Sequence, residues 1–248
     1  MPQTSSSSVP TLRSPSHSAA VILVGATLLE ILAMAHHPSV HTQDIAAAVQ
    51  QIAQLGQLSA WVHGVVLTAM LCIAYGLLEF VLRRGWSRPW IRAGTIAYAV
   101  GTLAMIGAGL VSGFILPDLI ALTPHASPID LAVNAQLLVL CRVLNQSCAN
   151  FATVAISVGI SCWAIDLLRE RGALRLLSLL GLLVGILPAI ALISGWLRLN
   201  VHGMSEVVWL WAAWNCAVAI TLWSPQNSKL GNDESRGGHG HDSRRTPS

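Results

Sequence analysis

Residues 176–197 read LLSLLGLLVGILPAIALISGWL, with Arg169, Arg171 and Arg175 before them and Arg198 after them. No charged side chain interrupts this run, and it exceeds the roughly 20 apolar residues that an α-helix needs to cross a bilayer core. It shows no alternation of period two, and in hydrocarbon every backbone polar group must be satisfied within the segment, so the run predicts a transmembrane helix. Outward from it, five further runs have the same character: Ser18–Ala35, Trp61–Leu82, Ile91–Leu116, Val143–Leu168 and Val207–Trp223. Together with Leu176–Leu197 they predict an all-α polytopic membrane protein with six spans. Composition agrees, since only 10% of the 248 residues are charged and 54% are hydrophobic, where a soluble domain carries roughly 25% charge. The formal net charge of +3 resides in loop arginines and implies no nucleic-acid partner; the partner that composition does imply is the lipid bilayer.

The arginines set an orientation. Arg13 precedes the first span, Arg83, Arg84, Arg88 and Arg92 join the second to the third, Arg169, Arg171 and Arg175 join the fourth to the fifth, and Lys229, Arg236, Arg244 and Arg245 follow the sixth. Basic residues in short loops stay on the cytoplasmic side, so both termini are expected there. Trp61, Trp196 and Trp209 on one side, and Trp86, Trp90, Trp163 and Trp223 on the other, are expected near the interfaces. Residues 1–17 and 224–248 are rich in Ser, Pro, Gly and charge and are expected to stay disordered. Asp44–Leu58 has Ile45, Val49, Ile52 and Leu55 at helical spacing and predicts a short amphipathic surface helix. Asp130–Arg142 predicts an outward extension of the fourth span, and the two segments would form a small outer helical cap. Pro117 is expected to end the third span and Pro188 to interrupt the fifth. Ala33-Met34-Ala35 has the form of a signal-peptidase site, whose cleavage would leave five spans; the long, weakly charged leader and Glu30 argue against it. Gly109 and Gly113, and Gly181 and Gly185, are spaced to let helices approach closely.

Two sets of residues carry the functional expectations. His36, His37, His41, His63, His125 and His202 all fall on the outer side under this topology. Imidazole is the commonest metal ligand, so His63 and His202, with His36, His41 or His125, are candidates for a metal ion or a b-type haem. Val62-His63-Gly64 and Val201-His202-Gly203 repeat a tripeptide on two helices of the same direction. His36 and His37 are adjacent and point apart on a helix, so at most one of them joins a site easily. The second set lies on the fourth span, where Arg142, Gln146, Asn150, Thr153, Ser157 and Ser161 share one helical face. With Asn145 and Asn215 they form either an interhelical hydrogen-bond seam or a solute path. Glu30 needs a partner inside the membrane, and Arg142 is the expected one. No phosphate-binding loop, His-Glu-x-x-His, nucleophile elbow or haem-attachment motif is present, so no catalytic residue is expected.

His36-His37-Pro38 after the first span, Val62-His63-Gly64 opening the second and Gly113-Phe114-Ile115-Leu116-Pro117 closing the third resemble a set of bacterial multi-pass inner-membrane proteins with no assigned activity. The resemblance implies a bacterial inner membrane and brings no catalytic residues with it. Three roles stand open on these grounds: binding of a metal, haem or small ligand at the outer face; small-solute transport along the polar face of the fourth span; and binding of a membrane partner.

Overall fold

Asp44 accepts a hydrogen bond from the Ala46 N–H at 3.1 Å, and Ser127 exchanges bonds with Asp130 in a capping box. These caps satisfy N–H groups that a helix start leaves unpaired, and each opens a helix of 40 residues. A computed structural model of the chain describes residues 16–38, 42, 44–122 and 127–224. Its helices are α1 (His17–Ala35), α2 (Ile45–Arg84), α3 (Pro89–Leu110), α4 (Leu116–Leu122), α5 (Pro128–Leu167), α6 (Ala173–Ile193) and α7 (Val201–Trp223), and a π-helical turn, Val111–Ile115, joins α3 to α4. Among the described residues there is no strand, and six helical stretches are long and apolar enough to cross a membrane. The fold is that of an all-α polytopic protein.

The boundaries differ from expectation in two places. Asp44–Leu58 is no separate surface helix, because nothing between Leu55 and Trp61 breaks the helical backbone, and it forms the first turns of α2. Pro117 does not end the third span either. A proline lacks the N–H that would pair one turn earlier and crowds the carbonyl there; the π turn just before it widens the coil, and the helix continues to Leu122. The expected extension of the fourth span is present as the first half of α5. Residues 1–15 and 225–248, which hold most of the expected tails, lie outside the described residues.

Successive spans run antiparallel, α3 and α4 counting as one. Ser16 at the start of α1 donates to Glu79 near the end of α2 at 3.4 Å, and His17 stacks edge-on against Trp223 at the end of α7. The described helix ends that carry Arg84, Arg88 and Glu170 form one end of the bundle, here the arginine end; those that carry His37 and His202 form the histidine end. Gly85 with φ 95° and Gly172 with φ 64° make the turns at the arginine end, in the left-handed region that costs glycine little.

Glycines divide the bundle into two triplets. In the first, a Cβ at Gly76 of α2 would lie 2.8 Å from Leu23 and 3.3 Å from the Ala19 carbonyl of α1. Thr27 and Asn215 hydrogen-bond to join α1 to α7. In the second, a Cβ at Gly94 of α3 would lie 2.8 Å from the Gly159 carbonyl, and one at Gly101 would lie 3.0 Å from the Ala152 carbonyl, both on α5. Gly185 of α6 meets the Ser157 carbonyl of α5 in the same way at 2.7 Å. Lipid is as apolar as leucine, so close backbone packing of this kind is what holds membrane helices together. Between α1–α2–α7 and α3–α5–α6 the glycines meet side chains instead: Gly109 faces Leu67, Gly113 faces His63 and Gly181 faces Trp214. Trp163, expected at an interface, is instead 1% exposed in the α3–α5 seam and donates to the Ile91 carbonyl at 3.3 Å. Val21, Leu32, Ile96, Leu103, Leu176 and Ile190 point outward, a surface that suits lipid. Gly101→Leu is expected to destabilise the protein by about 1–3 kcal/mol through overpacking, whereas Gly25→Leu, where a Cβ meets nothing within 4 Å, is tolerated; thermal unfolding in detergent distinguishes them.

Candidate functional site

Glu30 comes about three and a half helical turns after His17 on α1, and its helix face turns inward, so its carboxyl is buried. It lines a cavity with Met70 and Ile73 of α2, Tyr98 and Thr102 of α3, Ile156 and Ile160 of α5, and Trp211 and Asn215 of α7. Apart from Glu30, which stands five residues before the end of α1, these positions lie near the middles of their spans, and they come from both triplets, so the cavity sits in the seam between them. Its volume open to water centres is ≈ 20 Å³, room for about one water molecule. The Glu30 carboxyl forms no ion pair and no hydrogen bond among the described residues. Asn215 gives one amide N–H to Thr27 Oγ1 at 3.3 Å, leaving its second N–H and its carbonyl oxygen. Trp211, whose indole N–H is buried without a partner, stands in the same wall. The cavity thus combines an unpaired acid, an amide, a hydroxyl and an indole donor among aliphatic side chains, a lining able to hold a proton and one small polar molecule.

The expected Glu30–Arg142 pair does not form. Arg142 is exposed on α5, at the histidine end, while Glu30 faces the mid-span cavity. The polar face of α5 also divides. Gln146 donates to the Leu199 carbonyl of the α6–α7 loop at 3.0 Å, Asn150 is exposed, and Thr153 and Ser161 bond to their own helix, to the Ala149 and Ser157 carbonyls. Asn145 does more for packing, donating to Ala108 O at 2.8 Å and to Ser112 Oγ at 2.5 Å. Of the polar candidates the structure brings together Glu30 and Asn215. Tyr98, Thr102 and Trp211 were missed because single aromatic and hydroxyl residues in apolar helices carry no motif.

At the histidine end, His63 is buried and meets His37, with Nε2 to Nε2 at 3.3 Å and ring centroids 4.9 Å apart. His36 turns away and its Nδ1 lies 2.9 Å from the Leu32 carbonyl. His202 is exposed and has neither a hydrogen bond nor a ring contact with His63, so the repeated tripeptide does not produce a pair. His41 and His125 lie outside the described residues. Burial and then the neighbouring His63 pull the His37 pKa below the ordinary imidazole value, against the Pro38 backbone. Among the described residues no three His, Cys, Asp or Glu side chains are grouped to hold a metal ion. Nor do His37 and His63 suit the two faces of a haem, whose opposed nitrogens stand about 4 Å apart, twice a metal–nitrogen bond.

The arginine end is closed by an ion network that charge counting alone does not reveal. Arg84 of α2 meets Asp166 at 3.1 Å and Glu170 at 2.6 Å, and Arg88 meets the same two carboxylates at 3.0 Å and 3.6 Å. Arg84 thereby ties the first triplet to the second. No family model, curated protein or solved structure matches the chain. What the fold defines is a multi-pass membrane protein with a small acid-bearing cavity between two helical triplets.

Hydrogen bonding by Arg84 holds the Glu170 carboxyl below the ordinary glutamate range. A lowered folded-state pKa stabilises the fold above the unfolded pKa, and that contribution is lost as pH falls through the folded value. Thermal stability in detergent is therefore expected to drop more steeply for the parent protein than for Glu170→Gln between about pH 5 and about pH 3; equal slopes would remove the network from the account.

Proposed function

We propose that the protein is a membrane carrier that takes up a proton at Glu30 during its transport cycle. Of the roles open from the sequence, transport gains most from the geometry, and the observation that carries it is the unpaired Glu30 carboxyl facing a water-sized cavity between the two triplets. A carboxylate in hydrocarbon is costly unless a proton or cation neutralises it, and no basic side chain among the described residues does so. Carriers bind their coupling ions near the midplane, between bundles that rock against each other. The triplets suit that motion. The triplets are held by backbone approach at glycines and, for α7, by the Thr27–Asn215 hydrogen bond, whereas the seam between them holds side chains, the cavity and two closures, the Arg84 ion pairs at one end and the Ser59 hydroxyl donating to the Ser112 carbonyl at 3.4 Å at the other. In this reading the arginine end and both termini face the cytoplasm, following the loop arginines, and the membrane is the bacterial inner membrane implied by the resemblance of the three short motifs.

Purified protein in proteoliposomes, with a pH dye inside and a potassium diffusion potential imposed, tests the proposal. The parent chain is expected to pass protons faster than protein-free vesicles, Glu30→Asp to retain part of the flux and Glu30→Gln to lose it. A parent flux no greater than that of empty vesicles, or an undiminished flux in Glu30→Gln, overturns the proposal.

A further inference from the structure

His37 and His63 come from motifs far apart in the chain, and a third, Gly113, completes their setting. The His63 ring packs directly over Gly113, where any Cβ would collide with it, and Gly113 lies in the π turn Val111–Ile115. Asn145 braces that turn through Ser112 Oγ, and Ser59 bonds the Ser112 carbonyl. Wide turns of this kind inside α-helices recur at functional sites. Here the turn and its glycine make room for an imidazole that a regular, side-chain-bearing helix would displace.

The tautomer of His63 follows from its neighbours. Its Nδ1 lies 2.8 Å from the Ser59 carbonyl, which can only accept, so Nδ1 carries the hydrogen and Nε2 carries the lone pair. That lone pair faces His37 Nε2 at 3.3 Å. Two nitrogens bound to one tetrahedral ion through bonds of about 2.0–2.1 Å stand about 3.3–3.4 Å apart, the same spacing. An imidazole whose other N–H is given to a backbone carbonyl is also the usual arrangement of a metal-ligating histidine, fixed in tautomer and orientation.

We infer that His37 and His63 form a two-histidine site for a first-row divalent cation, of which Zn²⁺ is the test ion. Nitrogen ligands suit zinc and its neighbours and not magnesium or calcium. Since no third grouped ligand stands among the described residues, water or an incoming ligand fills the remaining positions. The site is therefore open and exchangeable, unlike the closed four-ligand sites that hold structural zinc. It is separate from the Glu30 cavity.

Zinc titration by calorimetry, on the full chain in detergent without a polyhistidine tag, tests this. The chain carries His239→Ala and His241→Ala so that the His-Gly-His-Asp run of the tail cannot contribute. One zinc per chain is expected. His37→Ala and His63→Ala should each weaken it at least about tenfold, and His202→Ala should leave it unchanged. His63 is packed, so melting without zinc checks that His63→Ala folds; His37 sits beyond the end of α1, and its variant decides the matter if His63→Ala does not fold. No saturable zinc uptake would mean that the rings share only a hydrogen bond, and uptake undiminished in His37→Ala would place the metal elsewhere; either result overturns the inference.

Discussion

Close backbone approach at glycine is the constraint on which the rest of this bundle depends. In lipid, burying leucine against leucine gains little over leaving it among acyl chains, so helices associate where their backbones can touch. Gly76, Gly94, Gly101, Gly159 and Gly185 provide those contacts within the triplets. At the seam between the triplets glycine makes room for a side chain instead, as Gly181 does for Trp214 and Gly113 for His63. The acid-bearing cavity and His63 both lie in that seam.

Much of the fold was legible in the sequence because hydrocarbon imposes its own length. Uncharged runs of about 20 residues mark the six spans, and each has a helical counterpart in the structure. The ends were less legible, since helix continuity past Leu58 and Pro117 depends on what is absent between segments, a breaker in one case and an uninterrupted α ladder in the other. The glycine pairs at 109 and 113 and at 181 and 185 were readable as sites of approach. Gly94, Gly101 and Gly159 were not, since only the partner helix shows why their side chains must be missing.

The candidate site was legible only in part, and the reason is geometric. Glu30 and Asn215 stand out as polar residues in apolar helices, and both line the cavity. Their neighbours are ordinary residues whose role comes from depth and rotation, which one chain read linearly does not reveal. A shared helical face suggested Arg142 and Asn150 as companions, yet periodicity reports which residues align on a helix and not where that face ends up: both residues are exposed on α5. For the histidines, adjacency of His36 and His37 predicted that at most one would join a site, without saying which. Helix α1 ends at Ala35, and it is the second residue past that end that reaches α2.

The length of α2 and α5 has a mechanical consequence. Forty residues of α-helix measure about 60 Å at 1.5 Å per residue, against a hydrocarbon core of about 30 Å, and the anchored arginines place the surplus at the opposite end. Each therefore exceeds a bilayer core by about half its own length, and the surplus continues the same helix as an arm. A tilt of about 10° at mid-length sweeps the tip of a 30 Å arm through about 5 Å, so in the proposed carrier a small rearrangement beside Glu30 would reach the far tips of α2 and α5 as a displacement large enough for another molecule to feel.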